Sequence, residues 1–413
     1  MSEHLQDREH RQEVLKGLIT DLHNGRDFNE VKRNFKELIK GIDATEIADM
    51  EQRLIEGGMP PEEIKRMCDV HAAVFRDSLA GNKKPVLDPG HPLHTLKSEN
   101  EEAGKIMSAI QNDIESLAAK SNEEITPDAL DNLRKNIMDL NENVDKHFSK
   151  KENIFFPYLE KRGITGPPSV MWSVDDEIRD MLKGIIRSLE KPDNRRYAEI
   201  AGQAKESFGR IRDKLSDMFF KEEEILSPMM LEALSEEEFI EIKEQSSQFG
   251  VIFSTPESDI WKPGKRPAVT GRVAGNSEAL ELETGTLTPE QVNAILTNIP
   301  IDITFVDKND EVRYFSQGRE RIFTRTKAII GRKVQNCHPP ESVHMVERIV
   351  NDFRSGRHDK AHFWLELNGR FIHISYTALK DKSGDYLGTM EVSQDVTDLR
   401  ALEGERRLLQ YEN

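Results

Sequence analysis

Two copies of one pattern, 71 positions apart, hold the residues of greatest chemical interest. His147–Glu160 reads HFSKKENIFFPYLE and Met218–Leu231 reads MFFKEEEILSPMML; without gaps they match at Phe148/Phe219, Lys150/Lys221, Glu152/Glu223, Ile154/Ile225 and Pro157/Pro228. Imidazole and carboxylate side chains on facing helices are the groups that hold metal ions inside helical bundles. Two other places combine imidazole with thiol. Cys68 and His71 could bind a metal or haem iron as a soft thiolate and an imidazole three residues apart. The alternative is a buried small cysteine beside a hydrogen-bonded core histidine, two donors being short of a structural zinc set. Cys337-His338-Pro339, with His344 one turn into the next helix, is either an iron-ligating or redox-sensitive corner or the ordinary proline-marked start of a helix.

Helices must position most of these residues. Each copy is a charged helical run that turns apolar and stops near a proline, which lacks the N–H needed to continue a helix interior. Two such copies imply two inward-facing helices of a bundle. Residues 1–81 read as a helical domain whose runs end at Gly41 and Gly57–Gly58, the residue type favoured just past a helix end. Pro60–Pro61 then open a helix on which Ile64, Met67, Cys68, His71 and Phe75 share one stripe. After a Pro/Gly-rich connector, the bundle extends to residue 248, the second domain spanning 82–248. Its four helices start at Pro92 (carrying His94, Glu99 and Glu102), run over about Pro127–Leu159 (carrying His147), follow Trp172, and span about Arg195–Leu226. Residues 249–286, rich in proline and glycine without a sustained period, read as a linker with room for a strand or two.

Residues 287–413 change character. IDITFVD and EVRYFS form a hairpin about Lys308–Asp310; helical material follows (RERIFTRTKAIIG, then SVHMVERIVNDFRSG); AHFWLEL, RFIHISYTAL and YLGTMEVSQDV are three more strands. The tail LRALEGERRLLQYEN reads as an amphipathic helix with Leu399, Leu402, Leu408 and Leu409 on a partial apolar stripe. Arg313, Arg319, Arg321, Arg325, Lys327, Arg332 and Lys333 form a local basic patch, either solvated helix surface or a dock for the acidic bundle or an anionic ligand.

Bulk properties exclude several classes. A net charge of −17 argues against a general nucleic-acid binder and against an anionic membrane surface as partner. Two cysteines in 413 residues exclude a disulfide framework and suit a reducing cytosol, hence a cytoplasmic location. The N-terminus has no apolar signal core, and no run is long enough to span a membrane. No nucleophile–histidine–acid set, phosphate-binding glycine loop or Walker motif points to an enzyme.

The duplicated His, acid and hydrophobic-Phe-Pro pattern resembles the hemerythrin-like (HHE) family of di-iron four-helix bundles. The strand–helix–strand order and QDVTDLR after the last strand resemble a PAS domain. Together the pieces are similar to a bacterial family of unknown function with an N-terminal helical domain, a hemerythrin-like bundle and a C-terminal PAS domain. The resemblance implies a multidomain fold: an all-α helical domain and four-helix bundle, then an α+β PAS domain with an antiparallel sheet.

It also implies where ligands should fall. The family pairs a histidine with a carboxylate four residues on; here Lys151 takes that place after His147, and Glu152 lies one residue late. The second repeat has Met218 for the histidine and Glu222 for the carboxylate, and Asp175 stands where the third helix usually has a histidine. Three expectations follow. Lys151, Asp175 and Glu222 could satisfy one another without metal, an ammonium standing in for a cation; a single metal could bind to His94, His147, Glu152 and Glu222; or a di-metal centre could form, the metal candidates overall being His94, His147, Glu152, Asp175 and Glu222. In the PAS domain Cys337, His338 and His344 are the candidates for holding a cofactor, iron in the bundle and haem in the PAS pocket being the cofactors to test. The expected function is a cytoplasmic sensor of a redox, gas, haem or metal signal, homodimeric through the PAS domain and the helix after Asp395. Its output would pass to a partner protein, without nucleic acid or membrane. The alternative is a di-iron protein of iron-centre repair or small-oxidant chemistry.

Overall fold

The computed structural model describes residues 86–190, 196–253, 260–261, 279–318 and 321–405. The helices expected over residues 1–81, with Cys68 and His71, lie outside them. The chain divides into two compact units.

The first unit is a four-helix bundle. Helix α1 (Pro92–Ala118) starts where the His91 ring accepts the Leu93 N–H, with proline in the first turn, where no N–H partner is needed. Leu93, Leu96, Ala103, Met107, Ile110, Ile114 and Leu117 recur every three or four residues, and all are buried. Helix α2 (Pro127–Lys150) is capped by the Thr126 hydroxyl and buries Leu130, Leu133, Ile137, Leu140, Val144 and Phe148. Helices α4 (Gly166–Ser188) and α5 (Tyr197–Lys221) complete the bundle; α1 and α4 each pack on α2 and α5. Burying a Leu, Ile or Phe side chain stabilises by ~1.5–3 kcal/mol, so these apolar layers, not the charges between them, hold the bundle together.

The prolines do not stop the helices. Lys151–Phe155 and Glu222–Leu226 are π-helical turns, and the chain continues helical as α3 (Phe156–Glu160) and α6 (Ser227–Ala233). Pro157 and Pro228 lack an N–H and would crowd the carbonyl four residues back. Widening the preceding turn removes that conflict, in the same register of both copies. Helix α7 (Glu236–Ser246) follows, with a Ser235/Glu238 capping box.

Part of the stretch read as a linker belongs to the bundle. Ile252 and Phe253 are buried, and the Phe253 N–H donates to Asn143 Oδ1 at 2.8 Å. The Trp261 N–H donates to the Pro89 carbonyl at 2.8 Å, and its ring stands edge-on to His91.

The second unit begins with a hairpin, β1 (Leu280–Leu282) and β2 (Gly285–Leu287), and helix α8 (Pro289–Asn298), none of whose residues is buried. Strands β3 (Asp302–Asp307), β4 (Val312–Phe315), β5 (Lys360–Leu367), β6 (Arg370–Lys380) and β7 (Tyr386–Asp395) form one antiparallel sheet in the order β4-β3-β7-β6-β5. Helix α9 (Pro340–Arg354) lies between β4 and β5 in the chain. One expected helix is not formed among the described residues. Residues 321–326 are irregular, with only a 3₁₀ turn at Lys327–Ile329; Ile322, Phe323, Thr324 and Thr326 are poor helix formers. Of the tail, the described residues form one helical turn, α10 (Thr397–Arg400), and Gly404 takes a left-handed φ of 66°; residues 406–413 lie outside them. Leu399 and Leu402 are exposed, while Leu408 and Leu409 lie outside the described residues.

Gly388 on β7 is the tightest point of the sheet. A Cβ there would meet the Val306 carbonyl oxygen at 2.1 Å, on a backbone with φ of 152°. Gly388→Ala is therefore expected to lower the stability of this unit by more than ~1 kcal/mol, read from urea unfolding of the full chain. An unchanged midpoint would show that β3 and β7 can separate freely there.

Candidate functional site

Most of the buried charges of the bundle fall into one hydrogen-bonded network, with a Glu152–Arg179 pair beside it. His147 Nδ1 lies 2.7 Å from Glu99 Oε2, and its Nε2 lies 3.0 Å from Glu222 Oε2. The Lys150 ammonium also donates to Glu99. Lys151 Nζ donates to Asp175 Oδ1 at 3.0 Å and to Glu222 Oε1 at 2.5 Å. Glu152 is turned to Arg179, which grips both its oxygens at 2.7 and 3.1 Å and also reaches Asp145 and Asp176. Lys151, Asp175 and Glu222 are wholly buried. With His147 protonated, His147, Lys150, Lys151 and Arg179 face Glu99, Glu152, Asp175 and Glu222, four against four.

The environment sets the protonation states. Burial would raise the Glu222 carboxyl, but the Lys151 ammonium and His147 outweigh it and hold it at about 2. Burial works against the charge of His147 too, yet Glu222 and Glu99 keep its pKa above the ordinary value. Lys150 and then His147 hold Glu99 low against the same burial. Asp175 goes the other way: burial pushes it well above the usual range, only partly offset by Lys151, and its Oδ2 has no hydrogen-bond partner.

A pH dependence follows. The lowered Glu222 and Glu99 contribute stability that is present above ~4.5 and lost as pH falls toward 2. The raised His147 contributes stability that is present below ~6.5 and lost as pH rises through its folded value. Unfolding midpoints in urea are expected to peak between these limits, and His147→Gln should flatten the alkaline side alone. An alkaline decline that survives in His147→Gln belongs to another group.

Three sequence-predicted ligands, His147, Asp175 and Glu222, meet in this network, while Glu152 is paired with Arg179 beside it. His94 does not: it is half-buried, off the apolar stripe of α1, with Ser98 Oγ at 3.4 Å from its Nδ1. Glu99 takes the inward place. It falls on the stripe between Leu96 and Ala103, and that spacing was the signal available in the sequence.

A hemerythrin-type iron pair needs several free imidazoles and bridging carboxylates. In this network the single imidazole has a carboxylate on each nitrogen, Glu152 is bound to a guanidinium, and the Lys151 ammonium lies between Asp175 and Glu222. Met218, buried at the remaining histidine position, offers only a thioether. These residues do not fit an iron pair.

The second unit holds a cavity of about 150 Å³ between α9 and the inner face of the sheet. Its wall is mostly apolar, including Val306, Val334, Val346, Ile349, Val350 and Phe363; His338, Tyr376, Thr389 and Glu391 are among its polar members. Tyr376 and Glu391 are opposite each other in the pairing of β6 with β7. Burial, then the Arg325 and Arg332 guanidiniums, lower the His338 pKa to about 4, so its ring is neutral at pH 7. Burial and the Glu391 carboxylate raise the Tyr376 hydroxyl, which stays protonated. Of the three predicted cofactor residues only His338 reaches the cavity. Cys337 Sγ instead lies 3.6 Å from the Lys333 carbonyl, and His344 is exposed, one position off the face of α9 that carries Met345, Val346, Ile349 and Val350. A cavity of this size holds a benzene-sized molecule; a porphyrin is several times larger, so haem does not fit. The basic patch is not uniformly solvated either: Arg332 is buried, and Arg321 donates to the Ser316 and Phe323 carbonyls.

Fold and sites define a hemerythrin-type bundle followed by a PAS domain. Family models agree: residues 91–230 match the hemerythrin HHE cation binding domain, residues 292–397 a PAS domain, and residues 15–81 a family of unknown function (DUF438). The three matches follow one another along the chain in the order DUF438, hemerythrin HHE domain, PAS domain. Among solved structures, a C-terminal domain from Streptococcus mutans is 32% identical over 31% of this chain and 100% of that chain (TM-score 0.30). The PAS domain of a Colwellia psychrerythraea protein is 16% identical over 26% of this chain and 97% of that chain (TM-score 0.22). A sensory box sensor histidine kinase from Vibrio cholerae is 11% identical over 26% of this chain and 89% of that chain (TM-score 0.21). No curated protein matches. A PAS domain joined to a hemerythrin bundle supports a sensory role. Among the described residues no helix is long and apolar enough to cross a membrane.

Proposed function

We propose that this chain is a sensor whose input is a small molecule held in the PAS cavity, and that its bundle works without metal. The cavity of about 150 Å³ carries the reading: an apolar chamber with few convergent polar groups is the usual form of a small-ligand site. In the bundle, Lys151 supplies the positive charge that the family takes from its metal ions, and the structure of the ionic layer is that of a permanent scaffold. The test is a fragment screen by ligand-observed NMR on the full chain and on Val350→Phe, which fills the cavity. Fragments that bind the first and not the second support the reading. Absence of any hit, or hits indifferent to Val350→Phe, would remove it.

Output is proposed to pass through pairing with a second copy at α8 rather than at the short α10. Helix α8 buries none of its residues and leaves Ile295 about half exposed, and an isolated helix of this length is marginal in water. Sedimentation of the full chain should show a dimer that Ile295→Glu weakens; a monomer at high micromolar concentration would end this part of the reading.

A further inference from the structure

Resting on that reading of the cavity, we propose its ligand class: an uncharged, benzene-sized ring carrying one hydrogen-bond-donating head, of the phenol type. Size comes first. A space of about 150 Å³ is the size that takes one six-membered ring with a small substituent. The apolar wall, with Val306, Val350 and Phe363, suits the ring itself.

The head is chosen by Glu391 and Tyr376. Their side chains leave the same face of adjacent strands at directly paired positions, and both line the cavity. Glu391 Oε1 accepts from the Ser393 hydroxyl, so a ligand head that donates suits this side chain. The Ser393 hydroxyl, 3.3 Å from Glu391 Oε1, leaves further lone pairs of that carboxylate available. The Tyr376 hydroxyl has no hydrogen-bond partner among the described residues and can donate to the ligand oxygen in return. A phenol O–H meets both requirements at once.

Charge sets the remaining limit. A ligand carboxylate would face Glu391 across a small low-dielectric space and be repelled. A ligand ammonium would be drawn to Glu391 but would also meet the neighbouring guanidiniums, which offset that attraction: Arg321 acts on Glu391, and Arg325 acts on Tyr376 and His338. Arg321 itself is committed to the Ser316 and Phe323 carbonyls and does not compete for the head. His338, neutral on the opposite wall, adds no charge of its own.

The experiment titrates the full chain with phenol, toluene, benzoate and benzylamine, reading chemical-shift changes of cavity methyls. Phenol is expected to bind most tightly, toluene more weakly, benzoate and benzylamine weakest. Glu391→Gln should weaken phenol about tenfold and Tyr376→Phe several-fold, both leaving toluene unchanged, which shows that the chamber is intact. Benzoate or benzylamine binding as tightly as phenol would overturn the assignment, as would phenol affinity indifferent to Glu391→Gln. If none of the four binds while other fragments do, the class is wrong and the sensory cavity stands. If nothing binds in either experiment, both readings fall.

Discussion

Replacing Lys151 by methionine is expected to lower the stability of the bundle by ~3–5 kcal/mol, a fall of roughly 6–20 °C in its melting temperature. The size comes from what the variant leaves behind. Lys151 Nζ is the shared partner of Asp175 Oδ1 and Glu222 Oε1, and all three residues are cut off from water. Methionine fills the space but strands Asp175 and leaves Glu222 with His147 alone, and stranded buried charge costs far more than the intact pair contributes. The companion variant separates lost charge pairing from lost packing. Lys151→Met with Asp175→Asn and Glu222→Gln removes the stranded charges and keeps an acceptor for His147, so it should recover most of the loss. Circular dichroism melts of the full chain give both results. An unchanged melt for Lys151→Met would mean that this ammonium is not part of a closed network.

The second large effect concerns metal. Protein grown with excess iron is expected to lack a stoichiometric iron pair and an oxo-bridge absorption band. Lys151→Glu should behave differently. It exchanges the ammonium for a fifth carboxylate facing Glu99, Glu152, Asp175 and Glu222, so the protein is strongly destabilised without cations. Zinc or ferrous ions should then raise its melting temperature, by the equivalent of ~2.7 kcal/mol at a hundredfold excess over Kd, and leave the wild type unmoved. Two irons per wild-type chain by elemental analysis would contradict the reading of the bundle.

Much of this was legible in the residues, and the gaps have physical reasons. The apolar stripe of α1 and the proline-marked repeats define the bundle, and the register around its axis turns Lys151, Asp175 and Glu222 together, where the structure has them. The error over His94 came from weighing residue type above position, since a histidine off the stripe cannot reach the axis while a glutamate on it can. The π turns were missed because proline reads as a stop unless the preceding turn widens, and widening depends on both copies packing together. In the PAS domain His338 stood out by its neighbours in sequence. Tyr376 and Glu391 did not, because only the pairing of β6 with β7 sets them side by side. One signal was available for Tyr376: Ile372, Ile374 and Tyr376 alternate along β6, so all three lean to one face.

The matching π turns bear on how such a bundle can assemble. Lys151 and Glu222 open equivalent turns of the two copies, yet carry opposite charge, and they bond to each other. Pairing a first half with another first half would set ammonium against ammonium, and second with second would set carboxylate against carboxylate. The bundle accepts only one half of each kind, whether both come from the same chain or are exchanged between two. The charge pair is therefore an address that makes the two repeats non-interchangeable.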